Sequence, residues 1–341
     1  MQIGVLLPHF GAGATRERLF GFSDRLEALG FDAVWARDQV GFRGGHAFES
    51  EEPRFVDPWI TLAAIAARNP RLILGTAPVI PIRHPVLLAQ LVGSLAFLAG
   101  DRLILGLGAG TPRRPFELTG IPYEERFERI REVAEVLRTL AHPPASYAGQ
   151  SASFEDLTID PPPPADLELW YGGTTFRSVE RALAIGTGWL PGRCPLPVLD
   201  EKLARLRALA AEAGRTMKVG IIPIVSIDQD RETALAQIDV AGLLEEARHK
   251  AHWARFGPFE AADDLAGVIV AGSPDDVVAQ LGALAERGID HVVLDLRLRP
   301  DAYERSLELI GREVLPGLGV TPPREAGASR RRPRPAPAAR G

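Results

Sequence analysis

A five-residue phrase occurs twice in this chain and limits what it can fold into. Arg71-Leu72-Ile73-Leu74-Gly75 returns as Arg102-Leu103-Ile104-Leu105-Gly106, 31 residues later. Each copy is a short apolar run ending in glycine, the pattern of a strand buried on both faces. Between them, Val86, Leu87, Ala89, Leu91, Leu95 and Leu98 stand at helical spacing from Pro85 onward, with Gln90 turned outward. A strand, a helix of that length and a second strand form a βαβ unit with parallel strands. The second copy runs on into Gly106-Leu107-Gly108-Ala109-Gly110, and glycines at a strand end let another molecule approach the backbone closely.

The same alternation runs through most of the chain. Apolar strand patterns begin near residues 3, 33, 72, 103, 167, 188, 218 and 291, and a helical pattern follows each. Arg16 to Leu29 is amphipathic through Leu19, Phe22, Leu26 and Leu29, with Gly30 where a C-cap belongs. Asp57 can cap a helix opening at Pro58, and Ser273 another opening at Pro274. Tyr123 to Leu140, Thr175 to Ile185, Pro197 to Ala213, Arg231 to about His252 and Pro300 to Leu315 read as further helices, and Lys218 to Ile227 as one long strand. The alternation breaks at about 141–166, where a small hairpin is expected, and at 250–270; both read as insertions. Eight strand–helix units predict an α/β fold, a (β/α)8 TIM barrel over 1–318. An open doubly wound sheet is the other solution, and no G-x-G-x-x-G after the first strand supports it.

Charge sorts the remainder. From Thr321 onward, Arg324, Arg330, Arg331, Arg332, Arg334 and Arg340 stand against the single Glu325, while the whole chain carries −5. The body is therefore acidic, which argues against nucleic acid as its partner. The basic, Pro/Ala/Arg-rich segment 319–341 lacks the apolar residues to build a core and is expected to be a disordered tail. Cys194 is the one cysteine, so no disulfide framework or thiolate-rich metal site is expected. The N-terminus has no basic stretch before its apolar run, and no run is long enough to span a bilayer, so a cytoplasmic protein is expected.

In such a barrel the chemistry sits where strands end and helices begin. That places His9, Asp38 with Gln39, Thr76 to Pro78, Gly108 to Thr111, Gly172 to Thr175, Pro191 to Arg193, Ser226 and Arg297 around one mouth. His9 is a candidate acid or base, or a histidine bonding a loop carbonyl. Asp38 is the other catalytic candidate; its alternative is a carboxylate paired with Arg37 or Arg43. Gly172-Gly173-Thr174-Thr175 offers N–H groups, two hydroxyls and a helix dipole to a phosphate. Gly75-Thr76-Ala77 offers a shelf bare of large side chains. His46 and His84 read as structural, and Arg83 as either an anion contact or an acid's partner. A metal-dependent or Schiff-base aldolase is disfavoured, because Lys202, Lys218 and Lys250 are the only lysines and none is placed at a strand's C-terminal end.

Leu29 through Asp38, Asp57 through Ala66, Leu74 through Val79 with Arg83-His84-Pro85 and Ala89-Gln90, Arg102 through Gly110, and Arg126-Phe127 with Leu137 together resemble, in order and spacing, the bacterial luciferase-like family of flavin- and deazaflavin-dependent oxidoreductases. The resemblance implies a barrel holding coenzyme F420 or FMN at its mouth and acting on a small-molecule substrate by hydride transfer. The alternatives it leaves are an FMN-dependent monooxygenase using NAD(P)H-reduced flavin and O2, and a non-catalytic flavin-binding member. It implies a cofactor site at Thr76, Ala77, Pro78, Gly108, Ala109, Gly110, Gly172, Gly173, Thr174, Thr175 and Arg193, with Asp38 and His9 nearby. It implies a cis Ala77-Pro78 bond beneath the ring, and a homodimer through helices early in the barrel. Arg113, Arg114, Arg177 and Arg193 favour F420 with its polyanionic tail. Two positions depart from the family's F420 dehydrogenases: Gln39 stands where they carry histidine, and Thr111 where they carry glutamate.

Overall fold

The computed structural model describes residues 1–11, 13–40 and 54–320. His46, Arg43 and all of the expected tail beyond Val320 lie outside the described residues. The chain runs β1 (Gln2–Leu6), α1 (Arg16–Leu29), β2 (Ala33–Ala36), α2 (Pro58–Arg68), β3 (Ile73–Thr76), α3 (Pro85–Ala99), β4 (Leu103–Gly108), α4 (Arg114–Thr119), α5 (Arg126–Leu140), β5 (Ala145–Ala148), β6 (Ser153–Leu157), β7 (Glu168–Gly172), α6 (Phe176–Ile185), β8 (Gly188–Leu190), α7 (Leu196–Glu212), β9 (Lys218–Ile221), β10 (Ile224–Ile227), α8 (Arg231–Ala236), α9 (Val240–His249), β11 (Ile269–Gly272), α10 (Pro274–Glu286), β12 (His291–Leu294), α11 (Tyr303–Leu309) and α12 (Leu315–Gly317). β1, β2, β3, β4, β7, β8, β9 and β12 close into one parallel barrel. All eight expected strand positions are in it, and the helices pack around it as a (β/α)8 fold requires.

Local chemistry sets the helix ends. Thr15 Oγ1 accepts from Arg18 N–H at the start of α1, and Gly30 closes that helix at φ 92°. Asp57 accepts from the N–H groups of Trp59 and Ile60 ahead of Pro58. Ser273 and Asp276 form a reciprocal capping box on α10.

The barrel's interior is filled by two indoles. The rings of Trp35 and Trp170 lie 5.8 Å apart, and Trp35 Nε1 donates to His291 Nε2 at 3.0 Å. Gly4, Gly75, Gly188 and Gly220 face these rings; a Cβ at Gly75 would sit 2.2 Å from Trp35, and one at Gly188 2.6 Å from Trp170. The glycine ending the first repeated phrase therefore makes room for an indole inside the barrel. His291 accepts from Trp35 and so is neutral there; burial pushes its pKa down to about 3.

Several expectations need correction. Lys218 to Ile227 is not one strand. Pro223 has no N–H for the ladder, so the chain leaves the barrel after β9, and β10 pairs in parallel with β11 in a separate two-stranded sheet. β11 closes the segment expected to be irregular. The helix expected from Arg231 to His252 is two helices, because Asp239 caps a new start by accepting from Gly242 N–H at 2.8 Å. The last helix begins at Tyr303 rather than Pro300. Leu87 and Leu98 are 59% and 52% exposed rather than packed inward. The hairpin in 141–166 is present as β5 and β6.

Candidate active site

A cavity of about 680 Å³ opens at the C-terminal ends of the strands. Its wall takes Arg37 to Val40 after β2, Ala77, Pro78 and Ile80 after β3, Gly108 to Pro112 with Arg114 and Pro115 after β4, Gly172 to Thr174 after β7, Leu190 to Gly192 after β8, and Ile222 after β9. Six strands thus converge on one concave space, of a size that accepts a cofactor.

The β3 side forms the floor. The Ala77-Pro78 bond is cis, as the resemblance implied. Ala77 and Pro78 line the cavity, but Gly75 faces Trp35, and Thr76 is buried with its hydroxyl donating to Gly106 O and accepting from Gly106 N–H. The expected shelf is therefore shifted one step along the chain, to Ala77 and Pro78, and is continued by Gly108, Ala109 and Gly110. A Cβ at Gly108 would lie 2.5 Å from Pro78 Cγ, and one at Gly172 3.1 Å from it. Those two glycines admit the proline ring between their strands.

Asp38 holds this floor from the side. Its buried carboxylate is gripped at both oxygens by Arg83, at 2.6 and 2.9 Å, and accepts from Ile80 N–H at 3.2 Å. Arg83 supplies the pairing for which Arg37 or Arg43 was expected; Arg43 lies outside the described residues. Arg83 also lies 3.4 Å from Asp57. His84 caps α3, its Nδ1 accepting from Val86 N–H. His9 is fully buried and lies off the cavity wall. Its ring nitrogens face Leu7 O at 2.9 Å and Arg37 O at 3.0 Å, and its ring meets Phe10 and Phe55 edge-on. Burial pushes its pKa down to about 4, so at neutral pH the ring is uncharged and its one N–H donates to one of these two carbonyls, between the ends of β1 and β2.

The β7 side is built differently. Trp189 Nε1 and Ser178 Oγ donate to Gly173 O at 3.0 and 2.7 Å. The Lys202 ammonium donates to Thr174 O, and Thr175 O accepts from Ser178 N–H at 3.0 Å and shares the one Ser178 hydroxyl proton with Gly173 O. Three consecutive carbonyls are thus tied back into the protein. Gly173 N–H donates to Leu190 O, while the N–H groups of Thr174 and Thr175 have no partner among the described residues. Thr175 caps α6 by accepting from Ser178 N–H. The result is a helix start with donors to spare, bordering the same cavity as Ala77 and Pro78, where the helix dipole favours an anion.

Other candidates sit elsewhere. Arg193 and Arg297 lie behind the wall around Asp295; the Arg297 guanidinium, 2.6 and 2.5 Å from that buried carboxylate, outweighs burial and holds it below its ordinary range. Arg113 and Arg114 are both exposed: Arg114 borders the cavity and pairs with Glu117 at 3.5 Å, and Arg113 pairs with Glu124. Ser226 is buried and donates to Ala234 O. Cys194 is buried, which pushes its thiol up to about 11 and makes it a poor nucleophile. Reading the sequence missed Ser178, Trp189 and Lys202. Lys202 carried a signal: it stands among Val198, Leu199, Leu203 and Leu206 on the apolar face of α7.

A closed parallel barrel with one wide cavity at the C-terminal ends of its strands is a (β/α)8 fold with its cavity where barrel enzymes carry their sites. The chain belongs to the luciferase-like monooxygenase family, whose model matches residues 1–291, and it is an oxidoreductase. It is 26% identical over 323 residues to 5,10-methylenetetrahydromethanopterin reductase from Archaeoglobus fulgidus, covering 86% of this chain and 93% of that protein. It is 28% identical over 342 residues to F420-dependent glucose-6-phosphate dehydrogenase from Microbacterium testaceum, covering 91% and 97%. The fold also matches the oxygenating constituent of 3,6-diketocamphane monooxygenase from Pseudomonas putida, solved with FMN, at a TM-score of 0.72 and 19% identity over 93% of this chain and 98% of that one.

Proposed function

We propose that this chain binds coenzyme F420, or alternatively FMN, in the mouth and transfers a hydride between it and a small organic substrate. The observation that carries this reading is the pairing, across one cavity, of the Ala77–Pro78 floor with the unpartnered N–H groups of Thr174 and Thr175. Full-length similarity to proteins named as an F420-dependent dehydrogenase and a tetrahydromethanopterin reductase favours F420. So do the guanidinium groups of Arg37 and Arg114 in the wall. Bound there, either cofactor supplies a ring position that accepts or releases hydride. Ala77, Pro78, Gly108, Ala109 and Gly110 seat the ring; Gly172, Gly173, Thr174 and Thr175 hold the phosphate. Thr76 and Arg193 support this site from behind rather than lining it. Asp38 and His9 act by position: Asp38 fixes Ile80 and with it the floor, and His9 joins the ends of β1 and β2. Three donors engage the Asp38 carboxylate, and His9 lies off the cavity wall.

Anaerobic titration with F420 and with FMN, followed by absorbance and fluorescence, tests the reading. The expected result is saturable binding with F420 the tighter; binding of neither sinks it. The match to an FMN-bound monooxygenase fold supports a second reading, an FMN-dependent monooxygenase. Rapid reduction of bound FMN by NAD(P)H followed by reaction with O2 in stopped flow would favour it.

We also infer a homodimer and a cytoplasmic setting. Ile60, Leu87, Phe97 and Leu98 expose a shared apolar patch on the adjacent helices α2 and α3, with Phe97 76% exposed. No helix among the described residues is long and apolar enough to cross a membrane, and the lone cysteine suits a reducing compartment. Phe97→Glu should turn a dimer into a monomer in light scattering, with the fold kept; a wild-type monomer would refute the inference.

A further inference from the structure

Lys202 is fully buried on α7, directly behind the loop that follows β7. A buried ammonium ordinarily sits against a carboxylate. This one does not. Its ammonium donates to Thr174 O and stands 3.9 Å from Cys194 Sγ, and among the described residues no carboxylate lies within ion-pair distance. The nearest acid in sequence, Glu201, is paired with Arg255. Phe176 lies on one side, 5.6 Å from ring centre to ammonium. Arg255 is a cation that bears on it, Lys202 and Lys250 both bear on His252, and Asp200, which bears on Cys194, is paired with Arg287. Burial lowers the pKa of Lys202 and pushes the Cys194 thiol up to about 11, so at neutral pH Cys194 is no thiolate counter-ion for the ammonium. One peptide away, the N–H groups of Thr174, which lines the cavity, and of Thr175 have no partner among the described residues.

We propose that Lys202 is the positioning and charge-compensating residue for the anion held on the Gly172–Thr175 loop, its ammonium taking the cofactor's phosphate as counter-ion through the Thr174 peptide. This rests on reading the loop as the phosphate seat. Two effects combine. The ammonium pins Thr174 O inward, which turns the following N–H groups toward the mouth. Its charge, in surroundings of low dielectric, favours an anion a few ångströms beyond that peptide. Neither effect reaches a ligand that lacks the phosphate.

The test compares phosphorylated and phosphate-free forms of the same ring. Wild-type and Lys202→Met proteins are titrated with FMN against riboflavin, and with F420 against its phosphate-free deazaflavin core. Lys202→Met should weaken FMN and F420 on the order of ten- to hundredfold, while riboflavin and the deazaflavin core bind as to wild type. Equal weakening of both forms, or no weakening, would overturn the inference and leave the function standing. Wild type binding neither cofactor would overturn both. A second measurement needs no variant at this position. Lys202, Lys218 and Lys250 are the only lysines, so a sample labelled with 15N-lysine gives three side-chain signals, assigned with Lys218→Arg and Lys250→Arg. The Lys202 signal should move on adding FMN or inorganic phosphate and stay in place with riboflavin. A signal that stays in place with FMN also refutes the inference.

Discussion

The two rims of the mouth are held by opposite electrostatic devices. On the β3 rim, a buried carboxylate meets a guanidinium: Asp38 is gripped by Arg83 and by the backbone at Ile80. On the β7 rim, a buried ammonium meets a carbonyl and a thiol but no carboxylate, while two backbone N–H groups beside it lack partners among the described residues. On the proposed function, the first rim is complete without a ligand and the second is short of one negative charge. A floor for a neutral ring must keep its shape whether loaded or empty, whereas an anion seat gains affinity by leaving donors and charge unsatisfied until the ligand arrives. Mutations that unbalance the first rim should therefore cost stability, and those that disturb the second should cost affinity.

The largest effect is expected from Arg83→Met, which strands Asp38 as a buried charge. Chemical denaturation should register a loss of about 3–5 kcal/mol, and the double variant with Asp38→Asn should recover much of it. A loss under 1 kcal/mol would mean that the pair contributes nothing beyond an exposed contact. Next comes acid. His9 has its pKa lowered from 6.5 to about 4 in the fold, so the native state binds fewer protons than the unfolded chain. Its stabilisation is complete above pH 6.5 and is lost as pH falls toward 4, at about 1.4 kcal/mol per pH unit and about 3 kcal/mol in all. His291, lowered to about 3, acts in the same direction. Denaturation midpoints measured across that range should fall, and His9→Asn should flatten the fall. Gly75→Ala probes the layer beneath both rims; overpacking against Trp35 should cost about 2–3 kcal/mol and lower the melting temperature. The smallest change in stability, about 1 kcal/mol, is expected from Ser178→Ala, which removes ties to Gly173 O and Thr175 O. Its main effect should be on the other rim's property: about tenfold weaker FMN binding by titration. Unchanged affinity there would erase the distinction between the rims.

The barrel was legible because its causes are local. The apolar runs ending in Gly75 and Gly106, the caps at Asp57 and Ser273, and the stop at Gly30 each act within a few residues, and right-handed βαβ connections leave few ways to assemble them. The places where the reading went astray are those where distant groups compete. One proline, Pro223, ended a strand whose apolar pattern continues unbroken to Ile227, because the ladder needs an N–H that apolarity does not report. Leu87 and Leu98 keep helical spacing yet face outward, since spacing defines a face without saying what covers it.

For the site, the linear order of residues determined which loops meet at the mouth, and it singled out Ala77-Pro78 and the Gly172–Thr175 turn. Only the tertiary structure decided what each group is occupied with. Asp38 and Arg83 are 45 residues apart, and Lys202 and Thr174 are 28 apart; no periodicity links them. Whether a buried charge is answered or left waiting depends on which side chains the packing brings within about 3 Å of it, and hydrogen bonds and ion pairs weaken too steeply with distance for sequence spacing alone to reveal that.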